Sequence, residues 1–136
     1  MADHERAMLA YVRLADVSQA RRQAFGADKF LVLAGAAACR AGWPDVAERC
    51  RQLISADNPN HLVSRFAGFP DAMRSPDFQT YLKQMERFVG YERAEHLLRA
   101  LNLELEPPPA EAAEGAGNWC LTLLSAPHWQ SGRGAG

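Results

Sequence analysis

Three small sets of side chains in this 136-residue chain have types and spacings that invite chemistry. Glu92 and His96 stand four residues apart, so a helix would put them on one face, as an acid–base or metal-binding pair requires. Neither has a further partner visible in the sequence, and a solvated pair beside Leu97 and Leu98 accounts for them equally well. Cys39 and Cys50 are eleven residues apart with no Cys-x-x-Cys or His-x-x-x-His pair nearby, which is poor spacing for zinc. Cys50 falls on an apolar stripe with Val46, Leu53 and Ile54 and reads as a core thiol. Cys120 with His128 as base would make a nucleophilic pair, but both follow a stretch ill suited to holding reacting groups in place. His61, after Asn58-Pro59-Asn60, sits in a turn and cap context. A glycine-rich phosphate loop, a serine elbow and a paired-carboxylate motif are all missing from the sequence. The expectation is a protein that is not an enzyme, with no catalytic residue, no cofactor and no metal.

Composition narrows the scaffold that positions these groups. Apolar residues make up 48% of the chain and charged residues 23%, the balance of a globular domain. One Ile, six Val and two Thr are too few β-branched residues for an ordinary sheet protein, whereas Ala is abundant. The fold class expected is all-α. A formal net charge of −1 creates no global attraction to nucleic acid or anionic lipid. The longest apolar run, Phe30 to Cys39, is ten residues, half of what a bilayer span needs. With an odd number of widely spaced cysteines and no apolar signal core in the first six residues, the expected location is the cytoplasm.

Punctuation then divides the chain. Residues 1–103 carry a net charge of +2 and residues 104–136 a net charge of −3. Between them Pro107-Pro108-Pro109 removes backbone donors and favours extended backbone, so a helix cannot cross. The reading is a helical domain over 1–106, a Pro/Ala/Glu/Gly linker over 107–117, and an apolar tail segment over 118–136. Within the domain a first helix is expected from Asp3 to Ala24, ending at Gly26. Asp28 would cap a second, Lys29 to Ala41, closed by Gly42. Pro44 opens a third that Asp57-Asn58-Pro59 stops. A short segment lies between Pro59 and Pro70. Ser75-Pro76-Asp77 starts a helix with Phe78, Tyr81, Leu82, Met85, Phe88 and Val89 on one face, and Gly90 ends it. Tyr91, Ala94, Leu97, Leu98, Leu101 and Leu105 mark the next. Five or six helices in antiparallel hairpins, with an extended C-terminal tail, is the architecture expected.

The first hairpin resembles a tetratricopeptide-type repeat. Gly35, Gly42, Ala47 and Pro59 fall at that family's spacing for a small residue in the first helix, a turn, a small residue in the second, and a stop. Leu31, Ala34, Ala38, Pro44 and Arg51 replace its usual bulky residues, so the likeness covers only about residues 28–61. It implies a repeat-like helical scaffold in which Gly35 and Ala47 let two helices approach closely.

Function follows from surface and tail. The tail places Trp119, Trp129 and three Leu within eleven residues, an apolar segment that must either fold back on the helices or dock on a partner. A tether raises its effective concentration and favours folding back. The expected function is protein–protein interaction, an adaptor domain holding a protein or peptide segment in a groove between helices. Its lining is assigned to Leu31, Val32, Arg40, Phe78, Tyr81 and Arg87, with Trp119 and Trp129 as the competing tail. The alternative is a nucleic-acid-binding or regulatory domain using an Arg-rich surface, since Arg outnumbers Lys thirteen to two. Acids interleaved with those arginines disfavour it. No membrane partner is expected, and self-association is compatible with the composition.

Overall fold

A computed structural model describes residues 2–21, 24–90, 93–94, 96–97 and 115–130. It is all-helical, with no strand among the described residues. In chain order these are α1 (Ala2–Ala20), α2 (Ala24–Ala41), α3 (Pro44–Asp57), a 3-10 turn (Leu62–Arg65), α4 (Phe69–Met73), α5 (Pro76–Phe88), α6 (Ala116–Leu124) and α7 (Pro127–Gln130). Among the described residues no helix is long and apolar enough to cross a membrane.

The apolar run centred on Leu31-Val32-Leu33-Ala34-Gly35-Ala36-Ala37-Ala38 explains the layout. All eight positions are buried, so α2 has no solvent stripe through its middle. A helix apolar on every side must be enclosed by others. Around it lie α1 on one flank and α3 on another, with α4 and α5 closing the remainder. Small side chains dominate the run, which lets its neighbours approach closely.

Local chemistry sets most boundaries. Gly42 adopts φ +84°, a left-handed conformation natural to glycine, and donates its N–H to the Cys39 carbonyl (3.3 Å). Pro44 then occupies the first turn of α3, where no donor is missed. Ser75 Oγ accepts from Phe78 N–H (3.5 Å) at the start of α5, with Pro76 and Asp77 following as expected.

Three boundaries and one position on a helix face differ from the sequence reading. α1 ends at Ala20 and α2 already begins at Ala24, so Gly26 and Asp28 lie inside α2 and do not separate helices. A glycine in a helix costs only about 1 kcal/mol, and the burial of the following run outweighs it. Pro70 opens α4 and does not close the preceding segment, because the first turn of a helix tolerates proline. Phe88, placed on the same apolar face of α5 as Phe78 and Leu82, is 72% exposed, whereas those two are buried. Ala116 and Gly117, read as linker from their composition, belong to α6. The Pro107-Pro108-Pro109 stretch, most of the helix expected after Gly90, and residues 131–136 lie outside the described residues.

Candidate functional site

A cleft of about 330 Å3 opens where α1, α2 and the end of α5 meet. Helical periodicity places its walls. His4, Ala7 and Tyr11 recur at three and four residues along α1, and Leu33, Ala37 and Arg40 do so along α2. Tyr11, Leu33 and Ala37 are buried and form the floor; His4, Arg40, Glu86 and Gly90 stand toward the opening.

The floor is polar at one point only. The Tyr11 hydroxyl donates to the Val89 carbonyl at 2.8 Å, closing the loop after α5 onto α1. Burial, and secondarily the Glu86 carboxylate, push the Tyr11 phenol up to about 12 despite the opposing pull of Arg40. At neutral pH it is a proton-holding donor and no base. At the rim, Arg40 Nη1 meets Glu86 Oε1 at 2.9 Å. Both side chains are 38% exposed, so the pair is screened and contributes at most about 1 kcal/mol. Cys39, next to this rim, has its thiol raised to about 11, chiefly by burial. A half-buried thiol held in its protonated form is a weak nucleophile.

A second polar group joins α5 to the turn after α3. His61 Nδ1 accepts from Val63 N–H (3.1 Å) and caps the 3-10 turn. With Nδ1 accepting, Nε2 carries the proton and donates to the Tyr81 hydroxyl oxygen at 3.3 Å. The rings meet edge to face at 5.6 Å. Burial lowers the His61 pKa, while burial and then Asp28 raise that of Tyr81. This cluster ties the 3-10 turn to α5.

The C-terminal helices lie on α1 and α3. Gly117, Cys120 and Leu124 of α6 are buried at intervals of three and four, with Asn118, Thr122 and Ser125 exposed on the opposite side. A Cβ at Gly117 would run into the six-membered ring of Trp43, so the indole lies directly over the helix backbone there. The Arg49 guanidinium donates from Nε (3.3 Å) and Nη2 (3.1 Å) to the Leu124 carbonyl at the end of α6. Trp129 is 1% exposed and donates Nε1–H to Asp16 Oδ1 at 3.3 Å. Cys120 is pushed up to about 12 by burial and by Glu5, and Cys50 of α3 is raised further, by burial first and then by Cys120 and Cys39.

The residues assigned to the groove from sequence are thus dispersed. Leu31, Val32 and Phe78 are enclosed in the core; Tyr81 is half-buried against His61; Arg87 is exposed on α5. Arg40 alone of the six lines the cleft. Trp119 is half-buried on α6 and Trp129 is core. His96 is exposed, and Glu92 and the His128 side chain lie outside the described residues. Among the described residues no three His, Cys, Asp or Glu side chains converge on a metal position. Three of the thirteen arginines tie elements of this fold together: Arg51 holds Glu48 and the Phe66 carbonyl, Arg49 the Leu124 carbonyl, and Arg40 Glu86. His4, Ala7, Tyr11 and Glu86 were not legible as a site, although the three- and four-residue spacing on α1 was a usable signal. No protein-family model, curated protein or solved structure matches the chain.

Proposed function

We propose that this protein is a non-enzymatic interaction domain that holds a segment of a partner protein in the cleft between α1, α2 and α5. The observation that carries this reading is the combination of an apolar floor with a weak, half-exposed ion pair at its opening. An apolar partner side chain gains by leaving water over Leu33 and Ala37, roughly 25 cal/mol per Å2 buried. An acidic group beside it takes Glu86's place on Arg40 at little cost, because the existing pair is worth so little. The preferred segment is therefore an apolar residue flanked by Asp or Glu.

The scaffold under this reading is an array of antiparallel helical hairpins of tetratricopeptide-like character. The left-handed turn at Gly42, the buried Ala47 and the end of α3 just before Pro59 support it. The space left by Gly35 is used differently, since it receives the Phe69 ring and not α3. The nucleic-acid alternative is weaker because acids are interleaved with the arginines along the chain and the net charge is −1, so no overall attraction to a polyanion arises.

Display of random peptides against the full chain tests the proposal. Selected sequences should share an apolar residue next to an acid, Ala7→Trp should fill the cleft and abolish their binding, and Arg40→Glu should reverse the acidic preference. Peptides that bind Ala7→Trp as well as the parent protein refute the cleft as the site.

A further inference from the structure

The stretch from Asn58 to Phe66 is held by hydrogen bonds that converge on one imidazole. His61 donates its backbone N–H to the Asn58 carbonyl (3.0 Å), and its own carbonyl accepts from Ser64 N–H (2.9 Å). Its side chain adds a third bond, in which Nδ1 accepts from Val63 N–H at 3.1 Å. Ser64 Oγ donates to the Asn58 carbonyl (3.3 Å) and lies 2.7 Å from Ser55 Oγ of α3. Beneath this network Val63 is fully buried, and Phe66 meets Phe78 of α5 edge to face at 6.4 Å.

Both nitrogens of the ring are committed. Nδ1 faces an N–H donor and must present its lone pair, so the proton of the neutral ring sits on Nε2, toward the Tyr81 hydroxyl oxygen at 3.3 Å. A second proton has only Nδ1 to go to. There it would set one N–H against another across 3.1 Å and leave the Val63 amide without its acceptor. The ring therefore cannot take up its charge in place. Its surroundings offer no compensation. The titratable group in contact with it is Tyr81 of α5, whose phenol holds its proton, and Asp28 of α2 acts on Tyr81 beyond it. Asp57 at the end of α3 and Arg65 at the end of the 3-10 turn are exposed, and Arg51 of α3 is held by Glu48 and the Phe66 carbonyl. We propose that His61 is an acid-sensitive latch, whose protonation at Nδ1 frees the ring from Val63 N–H, releases the segment 58–66 and uncovers Val63. The latch shares no residue with the cleft lined by Arg40 and Glu86, so either assignment can fail without the other.

The released ring takes its proton at the ordinary value of 6.5, whereas the closed one excludes it. One proton is thus taken up per opening, and the opening equilibrium should rise about tenfold per pH unit below about 6.5. Amide hydrogen exchange on the full chain reads this residue by residue. Corrected for the intrinsic rate, protection of Val63 and Ser64 should fall about tenfold per pH unit below about 6.5 until the segment is fully open. Val32, buried in the middle of α2, should keep its protection. At pH 7.5 the ring 15N shifts should show the proton on Nε2. His61→Asn keeps a side-chain acceptor for the N–H two residues on and does not titrate, so its profile at Val63 should be flat. Should His61→Asn fail to fold, His61→Ser supplies the same kind of acceptor. Tyr81→Phe should keep the pH dependence, because the decisive nitrogen is Nδ1. A neutral ring with its proton on Nδ1, a Val63 profile as flat in the parent as in the variant, an acid-induced loss that persists in His61→Asn, or equal loss at Val32 overturns the latch.

Discussion

Replacing Gly35 with Ala sets two opposed effects against each other. In a mid-helix position the substitution relieves the conformational cost of glycine, and α2 should gain about 1 kcal/mol. Against this, a Cβ at Gly35 would stand 2.8 Å from Phe69 Cδ2 and closer still to Cε2 and Cζ. The ring cannot swing aside, because it is fully buried and meets Phe78 edge to face at 5.6 Å. Overpacking of this kind costs about 1–3 kcal/mol and more where the neighbour is held, so the net effect should be destabilisation by about 1–2 kcal/mol. Urea unfolding followed by circular dichroism reads it directly. With a slope of about 2 kcal/mol/M, the midpoint should fall by about 0.5–1 M at unchanged slope. Phe69→Ala should cost about 3–5 kcal/mol by itself, but adding Gly35→Ala to it should then be neutral or stabilising, since the obstacle is gone. A single Gly35→Ala protein more stable than its parent would place the Phe69 ring elsewhere and undo the account of how α4 closes the core.

Other perturbations have expected outcomes of their own. Tyr11→Phe removes the hydroxyl that donates to the Val89 carbonyl and should cost about 1 kcal/mol in thermal or urea unfolding, with partial opening of the cleft seen as altered amide shifts at Glu86 to Gly90. On acidification, His61 is the group to follow: its pKa is lowered from 6.5 by burial, so the unfolded chain binds the proton first. Its contribution is complete above about pH 6.5 and declines as the pH falls toward the lower folded-state value, and urea unfolding at a series of pH values should show a shallower slope for His61→Gln than for the parent. In alkali the sign is reversed, because Tyr11, Cys39, Cys50 and Cys120 are all raised and the unfolded chain loses its protons first. Stability should fall as the pH rises above about 9, and a flat profile between pH 9 and 11 would contradict the burial of Cys50 and Cys120. Iodoacetamide at pH 8 should likewise leave the native cysteines unmodified and label them readily in urea.

What the amino-acid order determined unaided was the class of fold and the starts of α3 and α5. A scarcity of β-branched residues, an all-apolar stretch around Gly35, and the Ser75-Pro76-Asp77 and Gly42-Trp43-Pro44 signals act through backbone sterics and local hydrogen bonds, which depend on a few neighbours in the chain. The same local logic misjudged Gly26, Asp28 and Pro70, because a turn residue tolerated in a first helical turn looks like a boundary until burial is known. The cleft was beyond such reasoning: Tyr11 reaches Val89 across 78 positions, and Arg40 reaches Glu86 across 46. So was the seating of the tail, where Trp43 lies over Gly117 and Asp16 receives Trp129 from 113 positions away. These partners meet because separate helices crowd one buried rod, α2, and their meeting depends on packing geometry in three dimensions, a quantity no linear spacing encodes.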